Sequence, residues 1–564
     1  MKSSRFKALC VMSLALWPFL PGAMPSAQAQ FNFNFGSGQG PRTRPRNPSN
    51  DRPAPQKPSN FNLFDSFTFP KGRKNPPEKT RSPREVFEDR FVQASPEDAI
   101  QQFEAWQADQ FGTYLQTPHQ SAPQSAPSAA QISRQLARIA QETGTRPAIL
   151  YAVALNKQTH LLLVRPARSL DARSQQPQFF SLHPQYLAST QLLPGLLAQA
   201  STPPVIRQVL PEVSRDRVLD TAKTFRKTVS DRTELGSTKY LDSAQQLYRW
   251  IIQPLEAQLQ AEGIDTLLFS MDEGLRTIPL GAMHNGRQFL AERYSTALIP
   301  SFGLTNTSRS LALKQQPMLA MGISKSTEGQ APLPTVPTEI SVITSQLWQG
   351  PSRETLDEAS TLDNLKRLYQ QQRFGVLHLA THAVFNPGKV DNSYIQFWGD
   401  RLTLSQVQRL STDLRWSQLP SLELLVLSAC QTALGNKEAE LGFAGTALNA
   451  GVPAAIASLW SVEDEGTLGL MTGFYDAFRS APTKAKALQQ AKIRMLRGEV
   501  SFHHGQATAL SDSPNNAQTY PQNYALNPAP MDSSRLPATT LRSTATQLMH
   551  PYFWSGYTVV GNWN

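Results

Sequence analysis

The chain has 564 residues, 40% of them hydrophobic and 17% charged, with a net charge of +11 and two cysteines. That length allows one large domain or several smaller ones, and two cysteines exclude a disulfide-stapled scaffold. The basic excess argues against a nucleic-acid-binding domain, because it is confined to the start of the chain. Residues 1–29 hold three Lys or Arg and no acid, residues 30–84 hold eleven against three acids, and the remainder is neutral.

Lys2, Arg5 and Lys7 precede an apolar stretch from Ala8 to Leu20, then Pro21, Gly22 and Ala27-Gln28-Ala29. This is the form of a secretory signal peptide over 1–29 with cleavage after Ala29, which predicts a secreted or periplasmic protein. The apolar run is short for a membrane span and no later segment reaches 18 consecutive apolar residues, so the mature chain is expected to be soluble. Cleavage removes Cys10 and leaves Cys430 as the only thiol in an oxidising compartment. Such a residue calls for a chemical explanation.

From Gln30 to about Arg84 the composition is Pro, Asn, Arg and Ser with isolated Phe, which cannot bury enough apolar surface to offset ordering entropy. A disordered basic linker is therefore assigned to 30–94; its charge can touch anionic envelope polymers or lipid head groups. Gly36, Gly38 and Gly40 have no strand before them and are no phosphate loop. A helical segment, 95–144, follows: Ser95-Pro96-Glu97 opens one helix, and a second covers Ile132 to Thr143. No 34-residue self-similarity marks a helical repeat array.

Ile149 to Leu155 and Thr159 to Val164 read as a hairpin opening the globular region, 145–241. Helical spacing recurs over Val213 to Val229 and over Ser243 to Ala261, where Pro254 predicts a kink. Then strand and helix alternate. Strands are predicted at Thr266 to Ser270, Met318 to Ile323, Phe374 to Ala380, Leu422 to Ala429 and Ala454 to Leu459, with helices between them and after the last. This rhythm predicts an α/β fold with a mostly parallel sheet covered on both faces. Ser501 to Ala545, rich in Asn, Pro, Gln, Ser and Thr, is assigned as a disordered insert. Tyr552 to Val560 reads as a terminal strand whose removal is expected to expose a sheet edge and destabilise the fold.

Two of the predicted strands end in reactive side chains. Phe374 to Ala380 delivers Thr381-His382, and Leu422 to Ala429 delivers Cys430. Ligands of such sheets bind beyond the carboxyl ends of the strands, where a thiol and an imidazole can form a nucleophile and its base. Small neighbours, Ser428, Ala429, Thr432 and Ala433, leave room for a peptide backbone. His378 and His382 also have H-x-x-x-H spacing, but the run is β-like and no third ligand stands out, so no metal or other cofactor is assigned.

The stretches H-L-A-T-H-A (His378 to Ala383), L-L-V-L-S-A-C-Q-T-A (Leu424 to Ala433), Gly442 to Asp464, Phe474-Tyr475 and H-P-Y-F-W (His550 to Trp554) resemble the CHAT domain of caspase-like cysteine peptidases. Gly274 to Met283, Phe289 to Tyr294 and Pro300-Ser301 extend the resemblance, which covers 242–564. It implies a caspase-like sheet, peptide-bond substrates, His382 as base, Cys430 as nucleophile, and amide nitrogens at Ala383 and Cys430 as oxyanion donors. Two positions depart from the family pattern: Ala383 stands where many members have Gly, and Gln431 where Glu is common. A basic-residue pocket would draw on Asp272, Asp391, Glu463 or Asp464. Alternative functions on the same fold are a catalytically silent peptide-binding module and an acyl or peptidyl transferase.

Overall fold

Among the described residues the buried apolar runs assemble into one sheet of 13 strands. The computed structural model describes residues 81–115, 126–167, 204–308, 312–432, 437–445, 449–503, 506–510, 517–518 and 548–564. The signal peptide, residues 30–80 of the basic linker and most of the late insert lie outside these residues.

In chain order the strands are β1 (Pro147–Ala154), β2 (Thr159–Val164), β3 (Val205–Leu210), β4 (Thr266–Met271), β5 (Ser295–Leu298), β6 (Met318–Gly322), β7 (Ser352–Leu356), β8 (Val376–Phe385), β9 (Tyr394–Phe397), β10 (Asp400–Thr403), β11 (Leu424–Thr432), β12 (Ala454–Ser458), β13 (Val500–His503), β14 (Gln506–Leu510), β15 (Ala517–Gln518) and β16 (Tyr557–Gly561). The main sheet runs β10-β9-β8-β11-β12-β16-β5-β4-β1-β2-β3, with β6 also against β8 and β7 outside β6. Pairing is parallel through β7, β6, β8, β11 and β12 and again through β16, β5, β4 and β1. Antiparallel pairs join β12 to β16 and form the hairpins at either end. The result is an α/β fold with a mixed, mostly parallel sheet. β1, β2, β4, β5, β6, β12 and β16 are buried at every residue, which requires cover on both faces.

That cover comes from α1 (Pro83–Gln93), α2 (Pro96–Leu115), α3 (Ala129–Thr143), α4 (Arg215–Val229), α5 (Tyr240–Ile251), α6 (Val336–Val342), α7 (Leu362–Gln371), α8 (Leu404–Asp413), α9 (Lys437–Ala444), α10 (Asp464–Phe478) and α11 (Lys484–Leu496). The predicted kink at Pro254 is a break: α5 stops at Ile251 and helix resumes at Glu256. Gly322 at the end of β6 lets α6 come close. A Cβ there would lie 2.4 Å from Ile340 Cδ1 and 2.5 Å from Val336 Cγ1.

Three expectations need correction. The linker assigned to 30–94 includes α1, because Ser82, Pro83 and Glu85 make a complete N-terminal cap and Phe87 and Phe91 bury themselves. The insert assigned to 501–545 begins as strands, β13 pairing β14 and β14 pairing β15. Alternation at Val500, Phe502, Ala507 and Ala509 was hidden by the polar average of the segment. Finally, the terminal strand starts later than expected, at Tyr557. Pro551–Trp554 is a short helix and β16 lies between β12 and β5, in the middle of the sheet.

α1 and α2 are fastened to the sheet by polar side chains. Buried Glu104 of α2 accepts hydrogen bonds from the Tyr151 hydroxyl at 2.8 Å and from the backbone N–H groups of Phe302 and Gly303, each at 2.9 Å. Gln107 donates to the Met271 carbonyl at 2.8 Å, so the helical segment caps the carboxyl end of β4.

Candidate active site

The chain brings His382 and Cys430 to the same rim, on adjacent parallel strands. Backbone register sets Ala429 opposite His382 and Cys430 opposite Ala383. Both residues lie inside their strands rather than at the tips: β8 continues to Phe385 and β11 to Thr432. The extension arises because β8 changes partner. Its first half pairs with β6 up to Ala380, and Ala383 and Val384 pair with β9. His382 occupies the gap between the two neighbours. A bulge adds to the change: β11 advances two residues from Leu427 to Ala429 while β8 advances three, from Leu379 to His382. Bulges of this kind re-aim the side chains that follow.

The chain leaving β6 folds over this gap as a loop, 323–335. Its Ala331 carbonyl lies 2.9 Å from His382 Nε2. A carbonyl only accepts, so Nε2 carries the proton and Nδ1 keeps the lone pair. The half-buried ring is thereby held with Nδ1 as its unprotonated nitrogen. Asp357 holds the start of the loop, accepting from the N–H groups of Ser324 at 2.7 Å and Lys325 at 3.1 Å. Burial works to raise the Asp357 carboxyl, but these hydrogen bonds outweigh it and hold it below the usual range. Asp464, at the start of α10, holds the other end: its carboxylate accepts from Thr335 N–H at 2.6 Å. Ala383, in place of the expected Gly, is not among the residues with positive φ, so its side chain costs no backbone strain.

Sequence reasoning missed the polar cluster beneath the rim. His378 is fully buried; its Nε2 lies 3.0 Å from Glu339 Oε1 on α6 and its Nδ1 3.1 Å from the Tyr475 hydroxyl on α10. Ser428 Oγ donates to the same Glu339 oxygen, and the Tyr557 hydroxyl donates to the Ser428 carbonyl. Burial, and the nearby Glu339, push the Tyr475 phenol well above its ordinary range, so it remains neutral. The H-x-x-x-H spacing therefore serves two different ends, one ring in the core and one at the rim. Among the described residues no group of three His, Cys, Asp or Glu could hold a metal ion.

The CHAT domain model matches residues 241–562, more than half of the chain. The chain belongs to the CHAT domain family. Within this CHAT domain lie His382, Cys430, the loop and the polar cluster; α1 to α4 and β1 to β3 precede it. Among curated proteins none matches the chain. Solved structures with some likeness include the Arg-specific cysteine proteinase gingipain R (RgpB), 9% identical with a TM-score of 0.31, covering 62% of this chain and 74% of its own. Chains from two Saccharomyces cerevisiae separase–securin complexes are 12% and 10% identical, with TM-scores of 0.27 and 0.37 over 51% and 70% of this chain. The present chain spans only 19% and 32% of those chains.

The acidic pocket candidates of the CHAT domain separate by their partners. Asp272 is fully buried and engaged by Arg84 at 2.6 Å and Arg215 at 3.3 Å, so it is a structural ion-pair centre and not a pocket residue. Its position at the end of β4 is a strand end, as expected, but α1 closes over it. Burial alone would raise its carboxyl; Arg84 and Arg215 hold it below the usual range. Asp391 is exposed and accepts from the Thr403 hydroxyl at 3.0 Å, beside the β9–β10 hairpin. Glu463 pairs with Arg232. Asp464 alone sits next to the loop that covers His382, and among the described residues no cation pairs with it.

Asp272→Asn should lower stability at neutral pH by about 3–5 kcal/mol, because two guanidinium groups lose a buried counter-charge. A carboxyl held low in the folded state stabilises above its ordinary pKa and loses that contribution as pH falls through the folded value. Wild type should therefore weaken in acid more steeply than the variant. Urea unfolding at neutral and acidic pH measures both; equal midpoints at neutral pH would refute the assignment.

Proposed function

We propose that the protein is a caspase-like cysteine endopeptidase acting outside the cytoplasm, with Cys430 as nucleophile and His382 as base. The observation carrying the reading is the one-residue register offset between the two strands, combined with the Ala331 carbonyl that leaves Nδ1 of His382 as the basic nitrogen. The Cys430 thiol gives its proton to Nδ1, and the thiolate attacks the peptide carbonyl. Backbone N–H groups at Ala383 and Cys430 receive the oxyanion. The imidazolium then protonates the leaving amine, and water, activated by the same ring, hydrolyses the acyl-enzyme. No cofactor takes part. The dyad requires thiol and imidazole to converge across the offset at the rim.

Asp464 supports a preference for Lys or Arg before the scissile bond. Burial raises its carboxyl to about 6, Glu339 and Glu465 add to the rise, and the Thr335 hydrogen bonds only partly offset it. Among the described residues no cation pairs with this carboxylate, and an anionic group so placed is suited to a cationic side chain. Cleavage after Lys or Arg should then rise with pH through about 6, as the carboxylate ionises. Asp464→Asn should lack that limb and lose selectivity over neutral residues.

The test is an electrophilic peptide probe carrying Arg, followed by peptide mapping and by hydrolysis assays on a peptide library. An adduct on Cys430 with turnover supports the peptidase. Absence of any adduct or turnover leaves a peptide-binding module, and capture of the acyl group by an added amine in preference to water identifies a transferase.

A further inference from the structure

We infer that Glu339, His378 and Ser428 form a buried positioning cluster that sets the geometry between the nucleophile strand and the base strand. This deepens the peptidase reading and rests on it. The register shift between β8 and β11 falls at Ser428, two residues before Cys430 and level with Ala380-Thr381, just before His382. A bulge interrupts the regular ladder and leaves backbone groups without their ordinary partners. Here side chains replace the ladder. The Tyr557 hydroxyl satisfies the Ser428 carbonyl, and the Ser428 hydroxyl goes to Glu339 Oε1. The same Glu339 oxygen meets His378 Nε2 at 3.0 Å, four residues before His382 on β8.

One carboxylate oxygen therefore ties three elements together. β11 is held through Ser428, β8 through His378, and α6 through Glu339 itself. α6 starts at Val336, directly after the loop whose Ala331 carbonyl orients His382 and whose Thr335 is held by Asp464. Glu339, His378, Ser428 and Tyr475 are each at most 1% exposed. Burying such a group costs stability unless it is fully paired, and packed apolar side chains would serve the core as well. Among the described residues Glu339 Oε2 has no hydrogen-bond partner, so the cluster is not optimised for stability. Its return is geometric: it fixes how far β11 is displaced against β8 where no ladder does so.

Removing one tie should shift the thiol relative to the imidazole while the sheet stays intact. Misplacement by about 1 Å costs on the order of 100-fold in rate. For Glu339→Gln and Ser428→Ala we expect kcat to fall by roughly 10- to 100-fold with KM within about twofold. Alkylation of Cys430 by iodoacetamide should slow in parallel. Tyr557→Phe, which keeps the ring and removes the hydroxyl that bonds the Ser428 carbonyl and Thr467 Oγ1, carries the same expectation and serves if the Glu339 variant does not fold.

A purely stabilising role would instead lower the melting temperature and leave kcat per folded molecule unchanged; that result in the folded variants overturns the inference. Failure of the peptidase reading looks different, since wild type itself would then show neither turnover nor a probe adduct.

Discussion

Cys430→Ala is expected to abolish peptide turnover and leave the melting curve nearly unchanged. Loss of a nucleophile in a base-assisted acyl-transfer site costs up to about a million-fold, because the acyl-enzyme route disappears altogether. The substitution removes one sulfur atom from a strand that keeps its pairing to β8 and β12. His382→Gln is the companion variant. Its amide can still donate to the Ala331 carbonyl, yet it offers no basic nitrogen, so orientation survives and proton transfer does not. Both variants should lose the probe adduct or its rate enhancement while retaining wild-type circular dichroism. Activity equal to wild type in Cys430→Ala would reject the catalytic proposal, whereas unfolding of that variant would move Cys430 into the core.

Deleting residues 556–564 is expected to prevent folding. β16 joins the two parallel halves of the sheet, pairing antiparallel with β12 through Ala454 to Ser458 and parallel with β5 through Ala297 and Leu298. Tyr557, Val559, Val560 and Trp563 are fully buried. Losing four such side chains removes on the order of 10 kcal/mol, comparable to the whole net stability of an ordinary domain. The same deletion strips both partner strands of their ladder and takes the Tyr557 hydroxyl from the Ser428 carbonyl. A truncated chain that melts cooperatively at the wild-type temperature would show that the two halves hold together without β16.

Buried runs such as Leu424 to Ser428 and Met318 to Gly322 were visible as strands because their apolar residues are consecutive in the chain, and so was their alternation with helices. Motif residues His382 and Cys430 were visible for the same reason: each follows its run directly. Short strands escaped notice. β5, β7 and the β9–β10 hairpin are four or five residues long, and their pairing, not their composition, makes them strands.

The residues alone determined the fold class, the family and the two candidate reacting groups, since each depends on patterns local in the chain. Tertiary structure decided the rest. It placed β16 centrally, turned Asp272 from a rim acid into the partner of Arg84 and Arg215, and gathered Glu339, His378, Ser428 and Tyr475 from four separate elements. The physical reason is that the environment of a charge is set by whichever residues fold against it. Arg84 lies 188 positions from Asp272 and Glu339 lies 89 from Ser428, separations that no local pattern spans.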